Sequence, residues 1–126
     1  MSEKLIGVIV SHTDLADALL AAVSAIAGDD TGLVAVSNRG CDRAALLKRL
    51  DAAIGGRPAL VFTDMAGGSC AFTAAHLAHG RPDVRVVTGV NLAMLIDFVF
   101  HRELPLESAA ERAVQTGRTG VGIVGR

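Results

Sequence analysis

The chain has 126 residues, of which 51% are hydrophobic and 20% are charged, and its formal net charge is −1. This length and apolar content predict one domain, residues 1–126, with a buried core. The near-neutral charge and the lack of Trp and Tyr argue against a nucleic-acid-binding protein.

Apolar runs and helical periodicities alternate along the chain. In chain order they predict a strand over 5–10, a helix over 14–27, a strand over 32–37, a helix over 43–54, a strand over 59–63, a helix over 70–79, a strand over 84–88 and helices over 92–102 and 106–116. A short last strand is predicted over Val121–Val124. This alternation predicts an α/β fold, a three-layer sandwich with a mainly parallel sheet in an order near 2-1-3-4.

The cysteines and the apolar runs indicate the compartment. Cys41 and Cys70 are the only cysteines, and no C-x-x-C pair occurs, which predicts a reduced protein without a disulfide. The first residues lack the long apolar region and cleavage site of a signal peptide. The apolar run around Asp97 is too short to span a bilayer, so the cytoplasm is the expected location.

Polar or glycine-rich segments follow three of the strands, at 11–13, 63–69 and 88–91. In parallel sheets, binding sites form at the carboxyl ends of strands, near the point where strand order reverses. In a 2-1-3-4 order the first and third strands are neighbours, so His12 and Asp64 are predicted to face each other. The carboxylate would fix the ring tautomer and leave the other ring nitrogen as nucleophile, base or metal ligand.

Simpler roles are open for the same residues. His12 could hydrogen-bond a neighbouring loop, and Asp64 could cap the third helix or close the turn. Gly67 and Gly68 could let the backbone approach an anion at the helix start, or could form an ordinary turn. Ser69 could contact that anion or serve as the helix N-cap.

Other histidines and the second cysteine are weaker candidates. His76 and His79 form an H-x-x-H pair without a third ligand nearby in sequence, so no metal site is predicted. His101 is predicted to place a favourable charge near a helix C-terminus. Cys70 is predicted to be a small buried residue rather than a reactive thiolate. No Walker A, G-x-S-x-G or G-x-G-x-x-G motif occurs, and no cofactor is predicted.

Three stretches together resemble a known family: "GVIVSHTDLADALLAAVSAIAG", "VFTDMAGGS" and "VVTGVNLAMLIDFVF". Over nearly the whole chain they are similar to the enzyme IIA component of the mannose-type phosphoenolpyruvate-dependent sugar phosphotransferase system. The resemblance implies that His12 accepts a phosphoryl group from the phosphocarrier HPr and passes it to a IIB component. The sugar would then enter through the membrane subunits IIC and IID.

The resemblance also implies roles for neighbouring residues. Asp64 would hydrogen-bond the ring of His12, and the loop Gly67–Ser69 would lie beside the phosphoryl group. The family is usually a homodimer in which the C-terminal strand, here Val121–Val124, crosses to the partner. Helix 92–102 is apolar around most of its circumference, which fits either a subunit interface or cover by the last helix.

The sequence departs from the family pattern at the site. Cys70 stands where the family usually has a proline, and Met65-Ala66 stands where an aromatic residue often precedes the glycines. Thr13 replaces the glycine often found after the histidine, and could add a hydroxyl to the phosphoryl site or cap the first helix.

Several alternatives share a histidine after the first strand. A regulatory IIA protein of an incomplete phosphotransferase system is the nearest. The phosphocarrier domain of phosphoenolpyruvate-dependent dihydroxyacetone kinase also begins similarly. A small metal chelatase or metal-binding protein would need His76 as a second ligand, and histidine phosphatases have an arginine where this chain has Ser11.

Overall fold

The computed structural model describes residues 4–125. In chain order its elements are β1 (Ile6–Ser11), α1 (Leu15–Ala27), β2 (Leu33–Ser37), α2 (Arg43–Ile54), β3 (Ala59–Thr63), α3 (Ser69–His79), β4 (Val84–Val87), α4 (Leu92–Val99) and α5 (Leu106–Thr119). The four strands form a parallel sheet in the order β2-β1-β3-β4. The predicted α/β fold and strand order are confirmed.

Strand register brings two loops to one point at the carboxyl edge of the sheet. β1 is central and pairs with β2 on one side and β3 on the other. Val10 lies opposite Thr63 in this register, and Ser11 lies opposite Ser37. The residues that follow β1, β2 and β3 therefore leave the sheet side by side.

The sheet separates two hydrophobic cores, because successive strand residues point to opposite faces. Ile9, Leu60 and Phe62 contribute to the core beneath α1, α4 and α5, where Phe62 meets Phe98 edge-on at 5.4 Å between ring centroids. The second core lies beneath α2 and α3. It comprises Val8, Val10, Val36, Leu46, Leu50, Ile54, Ala59, Val61, Cys70, Ala74, Leu77 and Val84. Cover on both faces explains the continuous apolar character of β1 and β3.

Helix α4 is shorter than predicted and ends at Val99 instead of residue 102. The chain turns there because Arg102 pairs with the residue before β1. The backbone N–H of Leu5 donates to the carbonyl of Arg102 at 2.8 Å, and Nε of Arg102 donates to the carbonyl of Leu5 at 2.8 Å. These two bonds hold residue 102 outside a helical path.

The predicted strand Val121–Val124 is absent from the part of the chain that the structure describes. Helix α5 continues to Thr119, three residues beyond its predicted end, and the segment that follows has no regular structure. The side chains of Val121, Ile123 and Val124 are 77%, 77% and 99% exposed. A strand requires a paired neighbour, and a strand that pairs with a second subunit would not form in a single chain.

Gly7 provides a test of how tightly β1 packs. A Cβ atom at this position would lie 2.6 Å from Leu33 Cδ2 and 2.7 Å from Phe98 Cε2, both in the core. We expect Gly7→Ala to lower the free energy of unfolding by about 1–3 kcal/mol through overpacking, measured by urea denaturation.

The matched control is Gly56→Ala, since no heavy atom lies within 4 Å of a Cβ placed there. Its stability should stay within about 0.5 kcal/mol of the wild type. Equal effects of the two substitutions would contradict the packing explanation.

Candidate functional site

His12 follows β1 directly and begins the loop to α1. The strand before it is fully buried from Val8 to Ser11, so its path is fixed by packing on both faces. The His12 side chain itself is 39% exposed. A buried strand thus holds an imidazole at the protein surface, where a second protein can approach it.

Asp64 follows β3 and contacts His12 twice through one oxygen. Oδ2 of Asp64 accepts from the backbone N–H of His12 at 2.9 Å and lies 2.8 Å from ring Nδ1 of His12. The predicted proximity of these two residues is therefore confirmed. Asp64 does not cap α3, which was the alternative role predicted for it. The N-cap residue of α3 is Gly68, and no side chain forms a capping hydrogen bond there.

The pKa of the Asp64 carboxyl reflects opposing effects. Burial alone raises it, but the hydrogen bonds from the backbone and ring of His12 lower it by more, so the pKa lies below its ordinary value. An ionised carboxylate only accepts hydrogen bonds, so Nδ1 of His12 is the donor. When the ring is neutral, this tautomer places its lone pair on Nε2.

The glycine loop lies against that second nitrogen. Gly68 has φ +92°, and a Cβ placed on it would lie 3.6 Å from Cε1 and 3.8 Å from Nε2 of His12. Ser69 is the first residue of α3, and Gly67, Gly68 and Ser69 are all exposed. The first N–H groups of a helix have no partner within it, so this loop offers donors beside Nε2.

Thr13 adopts a backbone conformation that glycine normally occupies, with φ +50°, which is rare for a β-branched residue. The neighbouring loop holds it there. Its N–H donates to Oδ1 of Asn38 at 3.1 Å, and its carbonyl accepts from Oγ of Ser37 at 2.6 Å. Backbone strain thus lies one residue after His12.

Three polar side chains support the loop after β1 but were not predicted to do so from the sequence: Ser11, Ser37 and Asn38. The buried hydroxyl of Ser11 accepts from the N–H of Ala16 at 2.7 Å and so satisfies the start of α1. The alternative that Thr13 caps this helix is wrong. These contacts join residues up to 25 positions apart, and only the "SHT" and "SN" polar residues at strand ends hinted at them.

Cys70 is fully buried in the first turn of α3, as predicted for a small core residue. Its sulfur nevertheless belongs to the site, because one ligand atom from each of His12, Asp64 and Cys70 lies within 4.8 Å of the other two. Burial, followed by the negative charge of Asp64, raises the pKa of the Cys70 thiol.

The remaining histidines lie elsewhere. His76 and His79 are exposed on α3, and neither belongs to the metal-ligand grouping found within residues 4–125. Nδ1 of His101 lies 2.7 Å from the carbonyl of Asp97 and 3.5 Å from its carboxylate, just beyond the end of α4. His101 thus contacts the last turn of α4, and its favourable charge at this helix end stays a prediction.

An exposed apolar and cationic surface adjoins the site. Met65 and Phe72 are 56% and 53% exposed on either side of the glycine loop. The guanidinium of Arg43 lies 4.2 Å from the ring centroid of Phe72. Phe72 supplies an aromatic side chain here, although none precedes the glycines.

Residues 4–125 contain no helix whose length and apolar character would let it cross a bilayer.

Comparison with known families gives a match over most of the chain. The model of the EIIA-man family, described as PTS system fructose IIA component, matches residues 7–115. The match includes both His12 and Asp64 as well as the glycine loop. No curated protein matches the sequence significantly.

Solved structures with the same fold include three phosphotransferase-system IIA proteins. The mannose/sorbose specific IIA subunit of the phosphotransferase system from Enterococcus faecalis is 26% identical, with TM-score 0.88, over 98% of this chain and 97% of that one. EIIA from Streptococcus agalactiae is 22% identical, with TM-score 0.88, over 94% and 96%. The PTS IIA protein associated with the fucose utilization operon of Streptococcus pneumoniae is 18% identical, with TM-score 0.78, over 98% and 95%.

The strain at Thr13 can be measured by Thr13→Gly. A left-handed backbone conformation destabilises a non-glycine residue by roughly 1–2 kcal/mol, and glycine removes this strain. The greater entropy of glycine in the unfolded state opposes that gain by roughly 0.5–1 kcal/mol. We expect the free energy of unfolding to rise by up to about 1 kcal/mol in urea denaturation.

Ala18→Gly on the exposed surface of α1 is the control, and should cost about 1 kcal/mol. A loss of stability in Thr13→Gly that matches the loss in Ala18→Gly would show that Thr13 is unstrained.

Proposed function

Because this chain belongs to the EIIA-man family of PTS system fructose IIA components, we propose that it is a phosphocarrier with His12 as its acceptor. His12 takes a phosphoryl group from an HPr-like phosphocarrier and passes it to a IIB component. The observation that carries this proposal is the 2.8 Å contact between Nδ1 of His12 and Oδ2 of Asp64.

The chemistry needs one nucleophilic lone pair. Nε2 of His12 attacks the phosphorus of phospho-HPr in line, the new N–P bond forms, and the bond from phosphorus to HPr breaks. Positive charge develops on the His12 ring, and the Asp64 carboxylate stabilises it through Nδ1–H. The low pKa of Asp64 keeps the carboxylate ionised at neutral pH. The product is a phosphohistidine, so the protein acts as a phosphotransferase component.

The loop beside Nε2 supports this assignment. The equatorial phosphoryl oxygens carry negative charge, and the open N–H groups at the start of α3 attract it. Gly68 allows close approach, since any Cβ there would occupy space next to Nε2. We assign Gly67, Gly68, Ser69 and Thr13 to phosphoryl binding, through backbone N–H groups and the two hydroxyls.

Partner proteins would dock around His12. The site is shallow, and the exposed side chains of Met65, Phe72 and Arg43 surround the glycine loop. HPr and IIB would use this surface in turn, and the IIB component would deliver the phosphoryl group to sugar that enters through IIC and IID. The whole chain would act as one such domain in the cytoplasm.

The acceptor is tested by incubation with phosphoenolpyruvate, enzyme I and a cognate HPr, followed by intact mass and mapping of acid-labile phosphate. One phosphoryl group should appear on His12. His12→Ala should abolish labelling, and Asp64→Asn should slow it by on the order of 100-fold or more, because the ring loses its fixed tautomer.

His76→Ala is the matched control, since His76 is exposed on α3 and lies outside the site. It should be labelled at the wild-type rate. Label that persists in His12→Ala, or an unlabelled wild type with active upstream proteins, would contradict the proposal.

We also propose a homodimer in which the C-terminal segment crosses to the partner. Three apolar side chains of residues 121–124 are exposed in the single chain. β4 is an edge strand, and within residues 4–125 its only strand partner is β3. α4 packs against α5, which agrees with the prediction that the last helix covers it. Phe100 after α4 and Ile26 of α1 nevertheless remain 65% and 63% exposed.

Removal of residues 121–126 should convert the dimer to a monomer in light scattering coupled to size-exclusion chromatography. Burial of an aliphatic side chain contributes roughly 1.5–3 kcal/mol, so loss of three such contacts should exceed what the interface can tolerate. Phe72→Ser, which removes a different exposed apolar side chain, should remain dimeric. A monomeric wild type, or a truncated chain that stays dimeric, would refute the exchange.

A further inference from the structure

Cys70 places a sulfur atom beside the His12–Asp64 pair. One ligand atom from each of these three residues lies within 4.8 Å of the other two. The residues come from three elements: the ends of β1 and β3 and the first turn of α3. The fold therefore assembles nitrogen, oxygen and sulfur donors that are separated in the sequence.

The carboxylate of Asp64 independently supports a bound cation at the same position. Its side chain is only 9% exposed. Oδ2 accepts both hydrogen bonds from His12, whereas Oδ1 is buried and has no hydrogen-bond partner among the described residues. A buried carboxylate oxygen without a donor costs free energy, and such a group in a folded protein requires an explanation. A bound cation would satisfy this oxygen.

The thiol and the carboxylate also favour a cation between them. Cys70 is fully buried, and the neighbouring Asp64 side chain is nearly so. A divalent ion coordinated by both would balance the charge of Asp64 and favour the thiolate form of Cys70.

We propose that His12, Asp64 and Cys70 bind a zinc-type divalent transition-metal ion, and that the bound ion blocks phosphoryl acceptance. Imidazole nitrogen, carboxylate oxygen and thiolate sulfur are the donors that Zn²⁺ uses, whereas Mg²⁺ prefers oxygen ligands alone. On binding, the metal–sulfur bond replaces the S–H bond of Cys70, and the proton passes to solvent. Three protein ligands leave a fourth position for water at the exposed side of His12.

Competition follows from the electronic structure of the ring and rests on the proposed function of His12. Neutral imidazole has one nitrogen lone pair, and its other nitrogen carries a proton. Once that lone pair is donated to a metal, neither nitrogen can attack phosphorus. Metal binding to His12 and phosphorylation of His12 therefore exclude each other.

Metal binding is tested by titration of the untagged, reduced chain with Co²⁺, a spectroscopic substitute for Zn²⁺, and by calorimetry with Zn²⁺. One ion should bind per chain, with a thiolate-to-cobalt charge-transfer band. Cys70→Ser should remove the band and weaken binding at least about tenfold, since loss of even an outer-shell partner costs that much.

Two controls locate the site. Cys41→Ser removes the other, half-buried cysteine and should keep the band and the affinity. His76→Ala/His79→Ala removes the exposed H-x-x-H pair and should also bind normally. No binding, a band that persists in Cys70→Ser, or a band lost in Cys41→Ser would overturn the site.

Inhibition is tested with purified phospho-HPr, so that enzyme I is absent. The ratio of initial labelling rates without and with saturating Zn²⁺ should be large for the wild type and for Cys41→Ser, and close to one for Cys70→Ser. Mg²⁺ at the same concentration should not inhibit the wild type. An equal ratio in all variants would overturn the block.

The same experiment separates this inference from the proposed function. Labelling of His12 without zinc tests the phosphocarrier alone. If cobalt binds with the expected variant pattern while His12 is never labelled, the metal site holds and the phosphocarrier proposal fails. If His12 is labelled but no metal binds, the metal site fails and the phosphocarrier holds.

Discussion

The shared oxygen of Asp64 is the interaction on which the site depends. Oδ2 accepts from the backbone N–H and from ring Nδ1 of His12, at 2.9 and 2.8 Å. One bond fixes the main chain at the end of β1, and the other fixes the orientation and tautomer of the ring. Both require β1 and β3 to be adjacent and in register, which the pairing of Val10 with Thr63 provides. The 2-1-3-4 strand order is therefore what creates the site.

The rest of the molecule holds that geometry. β1 is buried from Gly7 to Ser11 between two cores, and Gly7 lets Phe98 and Leu33 approach its backbone closely. Such packing allows little movement of β1, because protein interiors are as dense as organic crystals. The loop after β1 is held just as firmly, since Ser37 and Asn38 bind both backbone groups of Thr13 despite its unfavourable φ. The imidazole is thus exposed but its support is rigid.

The sequence alone predicted the elements that depend on local pattern. Apolar runs and helical periodicity located every strand of the sheet, and the alternation of strands and helices predicted their order and the meeting of His12 with Asp64. Features that depend on contacts between residues distant in the sequence could not be predicted from local patterns. Helix α4 ends early because Arg102 pairs with Leu5 across 97 positions. The hydroxyl of Ser11, and not that of Thr13, accepts from an N–H in the first turn of α1. The strand over 121–124 was predicted from β-branched residues, but a strand also needs a partner that composition does not reveal.

Cys70 shows how a residue can belong to a core and a site at once. Its apolar surroundings agree with the prediction of a small buried residue. Its sulfur nevertheless lies within 4.8 Å of one ligand atom each from His12 and Asp64 at the sheet edge. A proline at this position, usual in the family that the sequence resembles, would fill similar space without a donor atom. Asp64 accepts from Nδ1 of His12, so a neutral ring carries its lone pair on Nε2. With Cys70 beside this pair, the proposed metal site and the proposed phosphoryl acceptor use the same imidazole, so a core residue would control the group that the fold exposes.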